Sequence, residues 1–270
     1  MSLVFDKHTE ELYRAWQLSS PGRSIEKELE KVFVKLLSPQ KGERVLDIGC
    51  GTGNHLLILH RLGLNITGID ASSYMISKAR ERLGHRSTLV TGPGEDLPFE
   101  DNEFDITALI NTLEFVKDPV RILMEAGRVT RKKVFIGILN GFSWYGLVKK
   151  MKGLFGDPLF SRARLYNIWQ LKSMLHGAFG QCPTSWVAIR TRPHFMENSW
   201  WPGREAYSPS DSPFVSFLGV SVKMVTGLKT DNLPIKIKFK APGRSLADIK
   251  TMGDLNRLKG VQKDERGLSL

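Results

Sequence analysis

One run of nine residues, Val45-Leu46-Asp47-Ile48-Gly49-Cys50-Gly51-Thr52-Gly53, restricts the fold more than any other feature of this 270-residue chain. It reads as an apolar strand over 44–48, a turn with three glycines, and then the helical apolar pattern Leu56, Leu57, Leu59 and Leu62, ended by Gly63. Glycines at a strand-to-helix turn let the backbone bend tightly and let a ligand approach where any Cβ would intrude. A nucleotide pocket is the natural inference. The spacing is wrong for a dinucleotide fingerprint, whose sixth position counted from Gly49 would be Asn54, and no Lys-Ser/Thr pair follows as in a P-loop. Asp47, two residues before the first glycine, would repel a pyrophosphate and suits a ligand carrying an ammonium or sulfonium group.

The strand-helix alternation continues along the chain. Strands are expected over 65–69, 87–91, 104–110 and 133–139, with helices over 73–83 and from Pro119, capped by Asp118, to Gly127. A helix with Ser24 as its N-cap runs to Leu37 before Pro39, preceded by a short helix and a turn at Ser19-Ser20-Pro21-Gly22. Two β-rich segments, 184–191 and 214–225, are expected to form an antiparallel hairpin at a sheet edge. Parallel neighbours need crossover connections, so the pattern predicts an α/β, doubly wound, Rossmann-like fold. Its seven-stranded, mostly parallel sheet carries the edge hairpin and a helical cap insertion. The expected organisation is one domain over 1–226, with a cofactor-binding core at 24–140 and an aromatic-rich cap at 141–181, followed by a basic tail at 227–270.

Composition excludes several alternatives. With 41% hydrophobic and 25% charged residues the chain is neither collagenous nor low-complexity. Two cysteines, Cys50 and Cys182, cannot build a disulfide framework or a four-cysteine zinc site, so a reducing, cytoplasmic setting without a metal is expected. Charged residues within the first ten positions argue against a signal peptide, so none is expected, and the apolar stretch 214–225 is too short to cross a bilayer. The formal net charge of +11 is regional: residues 121–172 hold eleven basic against two acidic residues, and 223–270 eleven against five. That places the excess on the expected substrate side and the tail, leaving an anionic membrane surface possible as a partner and nucleic acid possible but not favoured.

The motifs resemble those of class I S-adenosylmethionine-dependent methyltransferases, in the type 11 group that includes quinone-biosynthesis C-methyltransferases. The resemblance covers residues 24–140. It rests on 45–53, on Gly68-Ile69-Asp70-Ala71-Ser72-Ser73-Tyr74-Met75, on Gly94-Glu95-Asp96-Leu97-Pro98-Phe99, and on Glu103-Phe104-Asp105 leading to Asn111-Thr112-Leu113-Glu114-Phe115-Val116. Carried over, it places Gly49, Cys50, Gly51 and Gly53 under the methionine part of the cofactor and Asp47 at its ammonium. Asp70 would accept from both ribose hydroxyls, with Ala71 and Met75 against the adenine. Asp96 or, less favoured, Glu95 would accept from the adenine amino group while Leu97 offers its backbone N–H. Asn111 would lend a carbonyl to the ammonium, and Leu113 and Glu114 would face the reaction chamber. Tyr13 and Trp16 would close over the cofactor or anchor the N-terminal helix. The turn before the fifth strand departs from the group's Lys-Pro-Gly-Gly and reads Val129-Thr130-Arg131-Lys132-Lys133.

The resemblance implies S-adenosylmethionine as cofactor, S-adenosylhomocysteine as product, and a small-molecule acceptor. RNA or protein methylation, and cofactor binding without transfer, are the competing readings. No catalytic residue is fixed; Glu114, His176 and His194 are the candidate bases.

Overall fold

The computed structural model describes residues 4–143, 163–189 and 215–224. The cap residues 144–162, His194 and the tail 227–270 therefore lie outside the described residues.

Seven strands form one sheet: β1 (Arg44–Ile48), β2 (Asn65–Asp70), β3 (Ser87–Thr91), β4 (Phe104–Ile110), β5 (Thr130–Leu139), β6 (Thr184–Ile189) and β7 (Phe217–Lys223), in the order β3-β2-β1-β4-β5-β7-β6. The first five run parallel; β7 lies between β5 and β6, antiparallel to both. The predicted fold class and edge hairpin are what the chain adopts.

Alternation along each strand sends neighbouring side chains to opposite faces. Val45, Ile66, Ile106 and Phe135 meet helices α2 (Ser20–Leu37), α3 (Asn54–Arg61) and α4 (Ser73–Leu83) on one face. Leu46, Ile48, Val134 and Ile136 meet α5 (Pro119–Val129) and α6 (Ile168–Phe179) on the other. Every residue of β4 is buried, as a central parallel strand covered on both faces must be. Within the stretch read as a cap, α6 packs Leu171, Leu175 and Phe179 into this second core and belongs to the helical layer.

Two local readings change. The second helix starts five residues earlier than expected, with Ser19 as its N-cap, its side chain accepting from the Gly22 N–H at 3.4 Å. Pro21-Gly22 thus opens a helix where it looked like a turn. The glycine is needed there because a Cβ would stand 2.3 Å from the Trp16 carbonyl oxygen at the junction with α1 (Lys7–Gln17). Before β5 there is no separate turn: α5 passes straight into the strand, the Thr130 N–H donating to Gly127 O and the Thr130 hydroxyl to Ala126 O at 2.5 Å.

The basic run after that junction lies at the start of β5, where β1 and β4 also begin. There Arg131 and Lys132 both pair with Asp105, Lys132 also meets Glu43 at 2.6 Å, and Arg44 meets Glu103 at 2.7 Å. These charges sit at the opposite end of the sheet from the glycine turn, which corrects their expected place on the substrate side.

Candidate active site

Strand order reverses between β1 and β4, and in such sheets ligands bind beyond the carboxyl ends of the strands at that switch point. A cleft with about 830 Å³ of open space lies there, floored by the glycine turn and β2's end and roofed by Phe5, Tyr13 and Gln17.

The turn has the conformation its glycines allow. Gly51 has φ +51°, and a Cβ on it would meet no atom within 4 Å, so the side toward the cleft is open for close approach. Gly49 has φ +74°, and a Cβ there would lie 2.5 Å from Thr112. Gly53 serves packing: its Cβ would be 2.8 Å from Leu83, and it does not line the cleft.

Two buried acids, Asp47 and Glu114, and the half-buried Asp70 define the electrostatics. Asp47 is fully buried at β1's end, and neither carboxylate oxygen has a hydrogen-bond partner among the described residues. Burial, with the negative charge of Asp70 beside it, pushes its carboxyl well above the usual range. Asp70 lines the cleft; one oxygen accepts from the Gly51 N–H at 2.9 Å and the other from the Ser72 N–H at 2.8 Å, each keeping acceptor capacity. Burial raises its pKa while these two amides oppose the rise. Glu114, outside the lining of this cleft, is 1% exposed.

At β4's end Asn111 adopts a left-handed φ of +52°, which bends the chain over Gly49. Its N–H donates to Gly137 O at 2.8 Å, its side-chain NH2 donates to the Tyr13 hydroxyl at 3.4 Å, and its side-chain oxygen has no partner among the described residues. The Thr112 hydroxyl donates to Ile48 O at 2.9 Å, pinning that bend onto β1. The roof is an aromatic edge-to-face set, Phe5 standing 5.9 Å from Tyr13 and 5.0 Å from Phe115. It is tethered where the Ser72 hydroxyl donates to Phe5 O. Asn54, at α3's start, donates to Gln17 at 3.0 Å and so joins the roof helix to the glycine turn.

Of the residues singled out from the sequence, Gly49, Cys50, Gly51, Asp70, Ala71, Met75, Glu95 and Asn111 line the cleft. Others do not. Asp96, the favoured adenine acceptor, is exposed and outside the lining, whereas Glu95 is within it. The Leu97 N–H is engaged at 2.9 Å by Glu125, and the residue is packed in the second core, which removes the donor expected for the adenine. Leu113 is fully buried in the same core and faces no chamber. His176 is exposed on α6, away from the cleft. Sequence reasoning missed Gln17, His55, Thr112 and Ile122 in the lining. His55 is held neutral there, burial lowering its pKa to about 4.

The Asp70 carboxylate and the Asn111 side-chain oxygen in the lining, with Asp47 buried beside Asp70, suit a cation, and no Lys or Arg side chain stands among the described lining residues. The cleft therefore fits a ligand with ammonium and sulfonium charge, such as S-adenosylmethionine, better than a phosphate.

Comparison with known proteins agrees. A family described as a methyltransferase domain matches residues 46–137. An uncharacterized protein of Methanocaldococcus jannaschii is 34% identical over 157 residues, 56% of this chain and 70% of its own. A demethylmenaquinone methyltransferase of Listeria welshimeri is 34% identical over 108 residues, 37% of this chain and 46% of its own, so the chain spans less than half of that relative's length. The solved structure of an S-adenosylmethionine-dependent methyltransferase of Thermotoga maritima, described as a possible histamine N-methyltransferase, superposes with a TM-score of 0.63 at 25% identity, covering 81% of this chain and 100% of that one.

Proposed function

The chain belongs to the class I S-adenosylmethionine-dependent methyltransferases, and on that premise we propose that it transfers the methyl group of S-adenosylmethionine to a small-molecule acceptor. The observation that carries the cofactor assignment is Asp47, a fully buried carboxylate at the end of β1 with both oxygens unpartnered among the described residues. A buried, unpaired carboxylate is costly in a folded chain unless a cationic ligand meets it. In this reading Asp47 and the Asn111 carbonyl hold the ammonium, Asp70 the ribose hydroxyls, and Ala71, Met75 and Glu95 surround the adenine. When bound, the cofactor supplies an electrophilic methyl group on a sulfonium. The chain's task is alignment and exclusion of water, for which the roof of Phe5, Tyr13 and Phe115 is placed.

A small acceptor is supported by the Listeria relatives, whose names make them menaquinone-pathway methyltransferases, and by the pairing of Arg131 and Lys132 with carboxylates far from the cleft. No described helix is long and apolar enough to cross a membrane, and two free cysteines fit the cytoplasmic setting included in this proposal.

The test is to incubate the full chain with S-adenosylmethionine and a metabolite extract and score S-adenosylhomocysteine. Release that depends on the extract and survives removal of its macromolecules is expected. Cofactor binding with no release from any extract would make the protein a binding module; release only from the RNA or protein fraction would overturn the small acceptor.

A further inference from the structure

Among the described residues the exposed large apolar side chains are Val4, Leu18, Val34, Met124, Phe142 and Trp169. The two aromatic ones touch. Phe142 is 52% and Trp169 59% exposed, and their rings meet edge to face at 5.9 Å, so each gives one edge to the other and leaves much of its surface in water. Both rings stand on firm supports. The Phe142 N–H donates to the Asn140 side chain at 3.1 Å, and the Asn140 NH2 is anchored on Val215 O at 2.8 Å. Trp169 stands in the first turn of α6, closed by a reciprocal cap between Asn167 and Gln170 at 2.9 and 3.0 Å. The Gly141 N–H donates to Tyr166 O at 2.9 Å and ties the two stretches together. A paired aromatic patch held out on a rigid frame marks a contact surface, where a single exposed ring would not.

Its charge selects the partner. Arg164 and Lys172, on either side of Trp169 in sequence, are exposed, and the described residues 139–143 and 163–180 contain no Asp or Glu. In sequence, residues 144–162, which join these two stretches, add Lys149, Lys150, Lys152 and Arg162 against the single acid Asp157. Phe142 comes three residues after the end of β5, on the carboxyl edge of the sheet where the cofactor cleft also lies.

We propose that the Phe142–Trp169 pair docks the protein on an anionic lipid bilayer, the rings entering the headgroup layer while the basic side chains around them meet the lipid charges. Aromatic rings gain most at the boundary between headgroups and acyl chains, and clustered Lys and Arg are drawn to anionic lipid. Nucleic acid fits less well, because rings crossed at 64° offer no pair of parallel faces between which bases could stack. A second copy of the chain also fits less well, since two side chains fall far short of the roughly 20 residues a side that a stable interface uses. Docking here sets the rim of the cleft toward the bilayer, within reach of an apolar acceptor dissolved in it. That consequence rests on the methyl-transfer reading above; the docking itself needs no cofactor.

The test is co-sedimentation of the full chain with vesicles of phosphatidylcholine alone and of phosphatidylcholine mixed with phosphatidylserine. Wild type is expected to bind the mixed vesicles at least about tenfold more tightly, an advantage that high salt removes. The double variant Phe142→Ser/Trp169→Ser should weaken that binding about tenfold or more, while its melting transition and S-adenosylhomocysteine affinity stay those of wild type. Trp169→Tyr, which keeps an interfacial ring, should dock as wild type does. Val34→Ser is the control. Val34 is 48% exposed near the end of α2, where Lys133 at the far edge of the sheet donates to Leu37 O at 2.6 Å, and its loss should leave vesicle binding unchanged. Wild type that ignores vesicles, equal binding to the two vesicle types, or undiminished binding by the double variant overturns the proposal. Loss of self-association or of RNA binding in the double variant, with no vesicle binding by wild type, overturns it in favour of those partners. Failure of S-adenosylhomocysteine to bind wild type, with vesicle docking intact, would instead count against the methyl-transfer reading alone.

Discussion

The two ends of the parallel sheet treat the same residue type in opposite ways. Where β1, β4 and β5 begin, acids are matched with bases: Asp105 with Arg131 and Lys132, Glu43 with Lys132, and Glu103 with Arg44. Where the strands end, Asp47 has no hydrogen-bond partner among the described residues, Glu114 has one oxygen unpaired among them, and Asp70 accepts from two backbone amides. A chain optimised for stability alone would not bury acids in this manner. In the proposed reading the paired end is scaffold, and the unpaired end is kept for a ligand that arrives with the missing charge.

That contrast can be broken at either end. The largest effect is expected at Glu114. Its folded carboxyl is raised from about 4.5 to about 7, so the unfolded chain ionises first and stability is lost as the pH climbs through that window. Glu114→Gln should therefore unfold less readily than wild type at pH 8, by up to roughly 3 kcal/mol, with the two converging below pH 4.5. Denaturant titration at both pH values measures this, and a difference independent of pH would remove Glu114 from the contrast. Next comes Asp70→Ala, expected to weaken S-adenosylmethionine binding tenfold or more, about 1.4 kcal/mol, by calorimetry. Unchanged affinity would sink the ribose assignment.

The smallest effect belongs to the paired end. At Asp105 burial raises the carboxyl, but Arg131, the Arg44 N–H and Lys132 together more than offset this and hold it at about 2. The folded value is depressed, so the stabilisation is present above the ordinary carboxylate range and fades as the pH falls toward 2. Asp105→Asn should lose about 1 kcal/mol at neutral pH, after allowance for solvent screening, and nothing in cofactor affinity. A loss of affinity would show that the far end also shapes the cleft.

Much of this was legible in the sequence because it is periodic or punctuated. The strands alternate, Asp118 caps α5 by accepting from the Arg121 N–H at 3.0 Å, and the glycine turn marks the ligand side. What was hidden depends on direction in space. Glu95 and Asp96 are neighbours in an irregular connection, and nothing periodic says which faces the cleft. Leu97 could not be known to be occupied by Glu125, 28 residues away. Gln17 and His55 look like ordinary helix residues until α1 is folded over α3's start. The run Arg131-Lys132-Lys133 was placed near the substrate because linear charge counts carry no strand direction; β5's direction puts it at the far end.

The central claim is that Asp47 is kept unpaired for a cationic ligand. Calorimetric titration of wild type and Asp47→Asn with S-adenosylmethionine, with thermal unfolding of both ligand-free proteins, tests it most directly. The account predicts an affinity at least tenfold weaker in the variant, about 1.4 kcal/mol, and a melting temperature equal to or above that of wild type, since a buried charge has been removed. Equal affinities, or a variant that unfolds more easily, would show that the carboxylate serves the scaffold and contradict the account.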